Sequence, residues 1–226
     1  MDRVIVIGDI HGCVNTLKEL LYNIIKINKS DKLIFLGDYI DRGLHSREVI
    51  DELIYLKNNN YNTIFLRGNH EQMLLDTYFH PELYPQWLIN GAANTLSSFR
   101  INNIKDLDEN YLRFFQSTKF YYEIENYVIV HAGLNFELEN PLNDIISMLW
   151  TRNLSIDKSK INNRKLIVGH TPKLISEIKE SIYKGDTIFL DGGVVYNDMK
   201  TESGKGNLVA YDLINDELFY LENSEK

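Results

Sequence analysis

Short β-branched apolar runs alternate with amphipathic helical stretches through the first third of the chain. Val4–Ile7 is such a run, and beyond it Val14, Leu17, Leu20, Leu21, Ile24 and Ile25 fall on one side of a helix drawn from Val14 to Ile27. Leu33–Leu36 predicts a second strand. Val49, Ile50, Leu53, Ile54 and Leu56 predict a second helix, and Thr63–Leu66 a third strand. Strand–loop–helix units repeated in this way argue for parallel strands joined by helical crossovers. From Glu71 to about Thr118 the pattern is mostly helical and rich in aromatics: Tyr78, Phe79, Tyr84, Trp87 and Phe99. Most of these belong in a core, and Tyr84 and Trp87 are candidates for the wall of a substrate cleft. Tyr121–Ile124 and Tyr127–Val130 predict a hairpin across the polar turn Glu125-Asn126. Leu166–Val168 and Thr187–Leu190 predict two further strands, and Leu208–Asp212 with Glu217–Leu221 a closing hairpin. No long helix is predicted among the last three strands, so a mixed or antiparallel second sheet is expected.

Composition narrows the class. The 226 residues are enough for one good-sized core, and a single domain over 1–226 is expected, with 71–118 as a helical segment beside the functional site. No stretch is long and apolar enough to span a bilayer, and the N-terminus turns charged too soon for a signal peptide. The one cysteine, Cys13, excludes an internal disulfide framework. Together these features predict a cytoplasmic monomer. The net charge of −8 argues against a stable nucleic-acid partner, because such binding rests on Lys and Arg neutralising phosphates. Carboxylates that hold metal ions would offset part of that charge locally.

Five of the predicted strands end in a loop that sets Gly beside Asp, His or Asn: Gly8-Asp9-Ile10-His11-Gly12, Gly37-Asp38-Tyr39-Ile40-Asp41-Arg42-Gly43, Gly68-Asn69-His70-Glu71, His131-Ala132-Gly133 and Gly169-His170-Thr171. Ligands of open α/β sheets sit outside the carboxyl ends of the strands, so these loops are expected to converge. Four of the six histidines lie in them. Imidazole and carboxylate together suit a hydrolytic metal pair. Asp9 and His11, two apart on an extended loop, can face one ion. Asp38 has two oxygens and is the candidate bridge. Asn69, His131 and His170 complete the second ion. Asn69 and His70, adjacent in an extended loop, would point apart, one to metal and one to substrate.

The motifs GDIHG, GDYIDRG and LRGNHE, followed by HAGL and GHT, resemble those of the phosphoprotein phosphatase (PPP) family of calcineurin-like metallophosphoesterases, in particular its small phage and bacterial members. The resemblance runs from Val4 to about Gly193. It implies an α/β fold: a four-layer α-β-β-α sandwich of two mixed sheets flanked by helices. It implies that Asp9, His11 and Asp38 hold a first metal ion, and Asp38, Asn69, His131 and His170 a second. The ions expected are Mn²⁺, with Fe, Zn, Ni or Co as alternatives. Arg42 and Arg152 would bind the substrate phosphate, His70 would be the general acid and Asp41 its partner. Asp191 of the DGG loop would either support the site or shape a turn. Cys13 reads as a small packing residue. The activity implied is hydrolysis of phosphate monoesters by direct attack of a metal-bridging hydroxide. The expected substrate is a phosphorylated protein, phosphoserine or phosphothreonine first and phosphotyrosine also. The alternative is a nucleotide, as for a symmetrical bis(5'-nucleosyl)-tetraphosphatase.

Overall fold

The computed structural model describes residues 2–152, 155–196 and 205–225. β1 (Val4–Ile7), β2 (Lys32–Phe35) and β3 (Asn62–Phe65) are parallel neighbours, joined by α1 (Val14–Lys18) and α2 (Ser46–Asn58). After β3 come α3 (Asn69–Phe79), α4 (Tyr84–Leu88), α5 (Ala92–Phe99) and α6 (Glu109–Gln116). A second sheet follows, built from β4 (Tyr121–Ile124), β5 (Tyr127–Val130), β6 (Lys165–Val168) and β7 (Thr187–Phe189) in that order. α7 (Ile145–Trp150) lies between β5 and β6, and α8 (Ile175–Lys184) between β6 and β7. β4 and β5 are antiparallel, and the other pairs of this sheet are parallel.

The closing hairpin of β8 (Asn207–Asp212) and β9 (Glu217–Glu222) does not extend the second sheet. It returns to the first, where β8 pairs antiparallel with β1 and gives the order β3-β2-β1-β8-β9. Both sheets are therefore mixed. The reason is apolar demand on β1. All four of its residues are buried, so both its edges and both its faces need neighbours. A single antiparallel partner of matched register, Ile5 to Asp212 and Ile7 to Ala210, fills the free edge.

Alternation along the strands builds the layers. Ile5, Ile7, Leu33 and Phe35 join the large core under the helices. Val4, Val6, Ile34 and Leu36 point the other way and meet Ile129, Ile167, Ile188 and Leu190 of the second sheet. Val128, Val130, Leu166 and Val168 face outward to Met148 of α7. The result is two mixed sheets packed face to face and flanked by helices.

Two local expectations change. The helix drawn over Val14 to Ile27 becomes α1 followed by a π-helical stretch, Glu19–Ile24, which widens the turn. The extra residue per turn rotates the apolar stripe, so Ile24 is 44% exposed while Ile25 is buried. α8 was not anticipated between two strands of the second sheet. It buries Ile178 and Ile182 at the edge of the intersheet layer.

Candidate metal centre

The glycine loops of both sheets meet. Backbone bonds stitch them: Ile10 and His11 donate to the Asp38 carbonyl at 3.1 and 2.8 Å, and Gly12 to that of Tyr39 at 2.8 Å. Across the intersheet gap, His131 Nδ1 lies 3.0 Å from the Leu36 carbonyl oxygen, and the His170 N–H donates to Asp9 Oδ2 at 3.0 Å. Neither loop is extended. His11, Asp38, Asp41, Arg42 and His170 all have positive φ, between 45° and 69°. Non-glycine residues rarely adopt this region, and such conformations gather at functional sites. Two glycines make room for carboxylates: a Cβ on Gly68 would stand 2.1 Å from Asp38 Oδ1, and one on Gly169 2.1 Å from Asp9 Oδ1.

Asp38 is central. Its carboxylate approaches His11 Nε2 (3.5 Å), His131 Nε2 (3.4 Å) and His70 Nε2 (3.9 Å). Two clusters of donor atoms share it: His11, Asp38 and His70, and Asp38, His131 and His170. Burial opposes its charge, yet His131, His70 and His11 hold its carboxyl well below the usual carboxylate range.

In the second cluster, His131 Nδ1 donates to the Leu36 carbonyl, so its neutral ring turns a lone pair outward from Nε2. That lone pair faces Asn69 Oδ1 at 3.0 Å, His170 Nδ1 at 3.2 Å and Asp38 Oδ1 at 3.4 Å. Lone pairs converging in this way fit a cation. Burial alone would lower the His131 imidazole, but Asp38, with Asp9 and Glu71, lifts it to about 9.

The first cluster differs from the expected set of Asp9, His11 and Asp38. Asp9 has Oδ2 on the His170 N–H and Oδ1 buried without a partner. Burial and then Asp191 raise its carboxyl well above normal. His11 Nδ1 is tied to the Ile40 carbonyl at 2.8 Å, and Arg42 Nη1 already donates to its Nε2 at 2.8 Å. A cation is thus supplied to His11 by Arg42. Calcineurin-like phosphoesterases bind divalent metals, and the residues here fit such ions. Asp9 Oδ1, His70 Nε2 and His170 Nε2 are all buried and unpartnered. Each such atom costs about 1–3 kcal/mol unless a ligand satisfies it.

His70 and Asn69 open α3 as its first two residues, so helical rotation rather than an extended backbone separates their side chains. His70 Nδ1 lies 2.7 Å from Asp41 Oδ2. Asp41 is fully buried and fully served: Trp87 Nε1 donates to Oδ2 at 2.7 Å, and Thr95 Oγ1 donates to Oδ1 at 2.5 Å. Trp87, a candidate cleft wall from the sequence, is instead completely buried and cannot stack on a substrate. Trp87 and Thr95 carry no motif, so sequence reading missed them. Glu71 was also missed as a brace. It accepts from the N–H groups of Asp38, Tyr39 and Gly68 at 2.8–2.9 Å and so locks two motif loops together. Burial, then Asp38, pushes its carboxyl up to about 7.

The remaining expected residues lie at the rim. Arg42 sits beside His11 with its guanidinium 5.6 Å from the Tyr196 ring. Arg152 lines a small cavity with Gly169 and Thr171, on the His170 side. Trp150 stands edge-on to His170 at 6.5 Å. Asp191 shapes its turn by accepting from the Gly193 N–H at 2.7 Å, and burial raises it to about 6. Cys13 is buried next to the first loop. Among the described residues, no helix is long and apolar enough to cross a membrane.

A family model, the calcineurin-like phosphoesterase, matches residues 2–213, and the chain belongs to that family. It is a hydrolase of the metallophosphoesterase class. The chain is 33% identical over 154 residues to serine/threonine-protein phosphatase 2 of Salmonella typhimurium, covering 65% of this chain and 66% of that one. It is 25% identical over 223 residues to the asymmetrical bis(5'-nucleosyl)-tetraphosphatase PrpE of Anoxybacillus flavithermus, covering 87% of each. Other relatives are longer: the match spans 42% of the Shewanella-like protein phosphatase 1 of Plasmodium berghei, at 29% identity over 63% of this chain. The crystal structure of a candidate diadenosine tetraphosphatase superposes with a TM-score of 0.70 at 20% identity, over 100% of this chain and 95% of that one. That likeness concerns the fold.

Proposed function

We propose that the chain is a two-metal phosphatase that removes phosphate from phosphorylated serine and threonine side chains, and from tyrosine as well. Asp9, His11 and Asp38 would hold one ion, and Asp38, Asn69, His131 and His170 the other. Mn²⁺ is the expected metal. When bound, such ions bring the pKa of a water toward neutrality and neutralise charge on phosphate oxygens. Arg42 and Arg152 orient the phosphate from opposite sides, with planar forks suited to paired oxygens. His70 protonates the leaving oxygen from Nε2, while Asp41 holds its Nδ1–H and fixes the ring.

One observation supports this reading above others: a buried imidazole whose outer nitrogen is unpartnered and whose inner nitrogen is clamped by an Asp–Trp–Thr network. A rigid proton donor is worth most when the leaving group is a strongly basic alkoxide, as from serine or threonine. A leaving phosphate needs it far less.

A second reading, hydrolysis of a nucleoside polyphosphate, is favoured by the match to the PrpE tetraphosphatase over 87% of both chains. The test is a panel of phosphoserine, phosphothreonine and phosphotyrosine peptides beside diadenosine tetraphosphate, with Mn²⁺ added. The first reading expects phosphopeptide turnover, abolished by chelator and restored by Mn²⁺. Turnover of diadenosine tetraphosphate alone replaces it with the second, and full activity in a metal-free sample contradicts both.

A further inference from the structure

We propose that Asn94, seated by Gly91, is a positioning residue for Arg42: the corner between α4 and α5 holds that arginine's main chain in the left-handed conformation from which its guanidinium meets the substrate phosphate. The proposal rests on the hydrolytic site described above, with Arg42 as a phosphate ligand.

The second motif loop passes through two consecutive left-handed residues, Asp41 (φ 69°) and Arg42 (φ 67°). Neither is glycine, and a β-carbon crowds its own backbone in this region, so contacts from outside the loop must hold both residues there. For Asp41 the holders are Thr95 and Ser46. Its N–H donates to Thr95 Oγ1 at 2.9 Å and to Ser46 Oγ at 3.1 Å. For Arg42 the holder is Asn94, whose Nδ2 donates to the Arg42 carbonyl at 2.5 Å. Two adjacent residues of α5 thus grip two adjacent residues of the loop, and they serve different groups. Thr95 bears on His70 through the Asp41 carboxylate. Asn94 bears on the arginine.

Gly91 completes the seat. It precedes α5 with φ 111°, and a Cβ there would stand 2.7 Å from Arg42 N, 3.2 Å from its Cγ and 3.3 Å from its Cα. The corner therefore packs directly on the Arg42 main chain. One residue further along the loop, a Cβ on Gly43 would stand 2.0 Å from the His11 carbonyl oxygen, so the chain beyond Arg42 is fixed as well. From this anchored backbone the side chain reaches the metal centre, where Nη1 donates to His11 Nε2 at 2.8 Å. A long side chain loses much freedom when it grips a ligand, and a fixed starting point reduces that loss. Asparagine suits the task because its amide donates to a carbonyl, which an ionised aspartate of the same shape cannot do. Without that bond the Arg42 peptide is free to relax toward commoner backbone angles and carry the guanidinium away.

The experiment compares wild type, N94A, R42A and the double variant N94A/R42A, all loaded with Mn²⁺, on p-nitrophenyl phosphate and phenyl phosphate, with inorganic phosphate as competitive inhibitor. Alanine is favourable within a helix, and R42A keeps the carbonyl that Asn94 bonds, so both changes are expected to leave the fold intact. N94A is expected to lower kcat/KM about tenfold on both esters alike and to raise the inhibition constant of phosphate by a similar factor, with metal content as in wild type. In the R42A background the same change should cost less than about twofold, because the guanidinium it positions is gone. An equal loss with and without Arg42, or no loss in either, would overturn the proposal. So would a loss much larger on phenyl phosphate, the poorer leaving group, which would route Asn94 through Thr95, Asp41 and His70. If wild type hydrolyses no ester at all, the hydrolytic reading fails by itself. Asn94 is then judged by calorimetric titration of inorganic phosphate into the same four proteins, where N94A must weaken binding about tenfold only when Arg42 is present. Phosphate binding that does not depend on Arg42 overturns the proposal there.

Discussion

The two halves of the metal centre are built differently. On the Asn69, His131 and His170 side, lone pairs converge within 3.0–3.4 Å of one nitrogen, and little rearrangement is needed to receive an ion. On the His11 side, an arginine occupies the imidazole and Asp9 accepts a backbone N–H through one oxygen. What the second side lacks in convergence it gains in support, for here the helices after β3 lend Trp87 and Thr95 to Asp41 and, through it, to His70. One half gathers acceptor atoms around one imidazole nitrogen, and the other clamps an imidazole through its inner nitrogen. The contrast teaches that donor clustering alone does not identify a ligand. His70 belongs to a cluster with His11 and Asp38, and its inner nitrogen's bond to Asp41 suits a ligand and a proton donor alike.

The largest effect should come from removing the residue the two halves share. Asp38→Ala is expected to lose both ions and on the order of 10⁴-fold or more in turnover, measured by elemental analysis beside phosphatase assay. Retention of one tightly held ion would show that the halves are independent. His70→Asn separates the two roles of that residue. Turnover of phosphoserine peptide should fall about 10²–10⁴-fold while metal stoichiometry stays as in wild type; a lost ion would make His70 a ligand instead. Smaller still is Trp87→Phe, which keeps the packing and removes one donor to Asp41. A decrease in kcat of about 10- to 100-fold, with unchanged metal content, is expected, and a change in KM alone would argue against a role through His70. The smallest effect concerns Cys13. Burial, and then Glu225, pushes its thiol up to about 12, so the thiolate is absent at all pH values well below that and grows only as pH rises through it. Iodoacetamide at pH 8 should therefore label native protein far more slowly than denatured protein, as read by mass spectrometry; equal rates would show that the first loop opens readily.

Much of this arrangement was legible in the chain itself, because every candidate ligand sits behind a strand and within two residues of a glycine. The unbroken apolar runs of β1 and β2 fit strands buried on both faces. Less local facts were hidden. Trp87 and Thr95 lie 46 and 54 residues from Asp41, and nothing in their neighbourhood marks them as its donors. The closing hairpin pairs with β1, at the far end of the sequence, because β1 has an open apolar edge rather than because of any signal within the hairpin. The left-handed turns at His11, Asp38 and His170 were equally invisible, since their residue types do not demand them and only the crossing of loops does.

Main-chain bonds between Asp38 and the Ile10–His11 peptide units carry the course of these loops, together with the Glu71 brace and the glycines that let them cross. Exchange of single residues other than these glycines and Glu71 should therefore leave the loop trajectories largely intact, and variants could acquire new chemistry step by step. Adding or deleting one amino acid in either loop would shift every partner along and dismantle the crossing. In a randomised library, point changes across these segments should yield folded proteins far more often than length changes do.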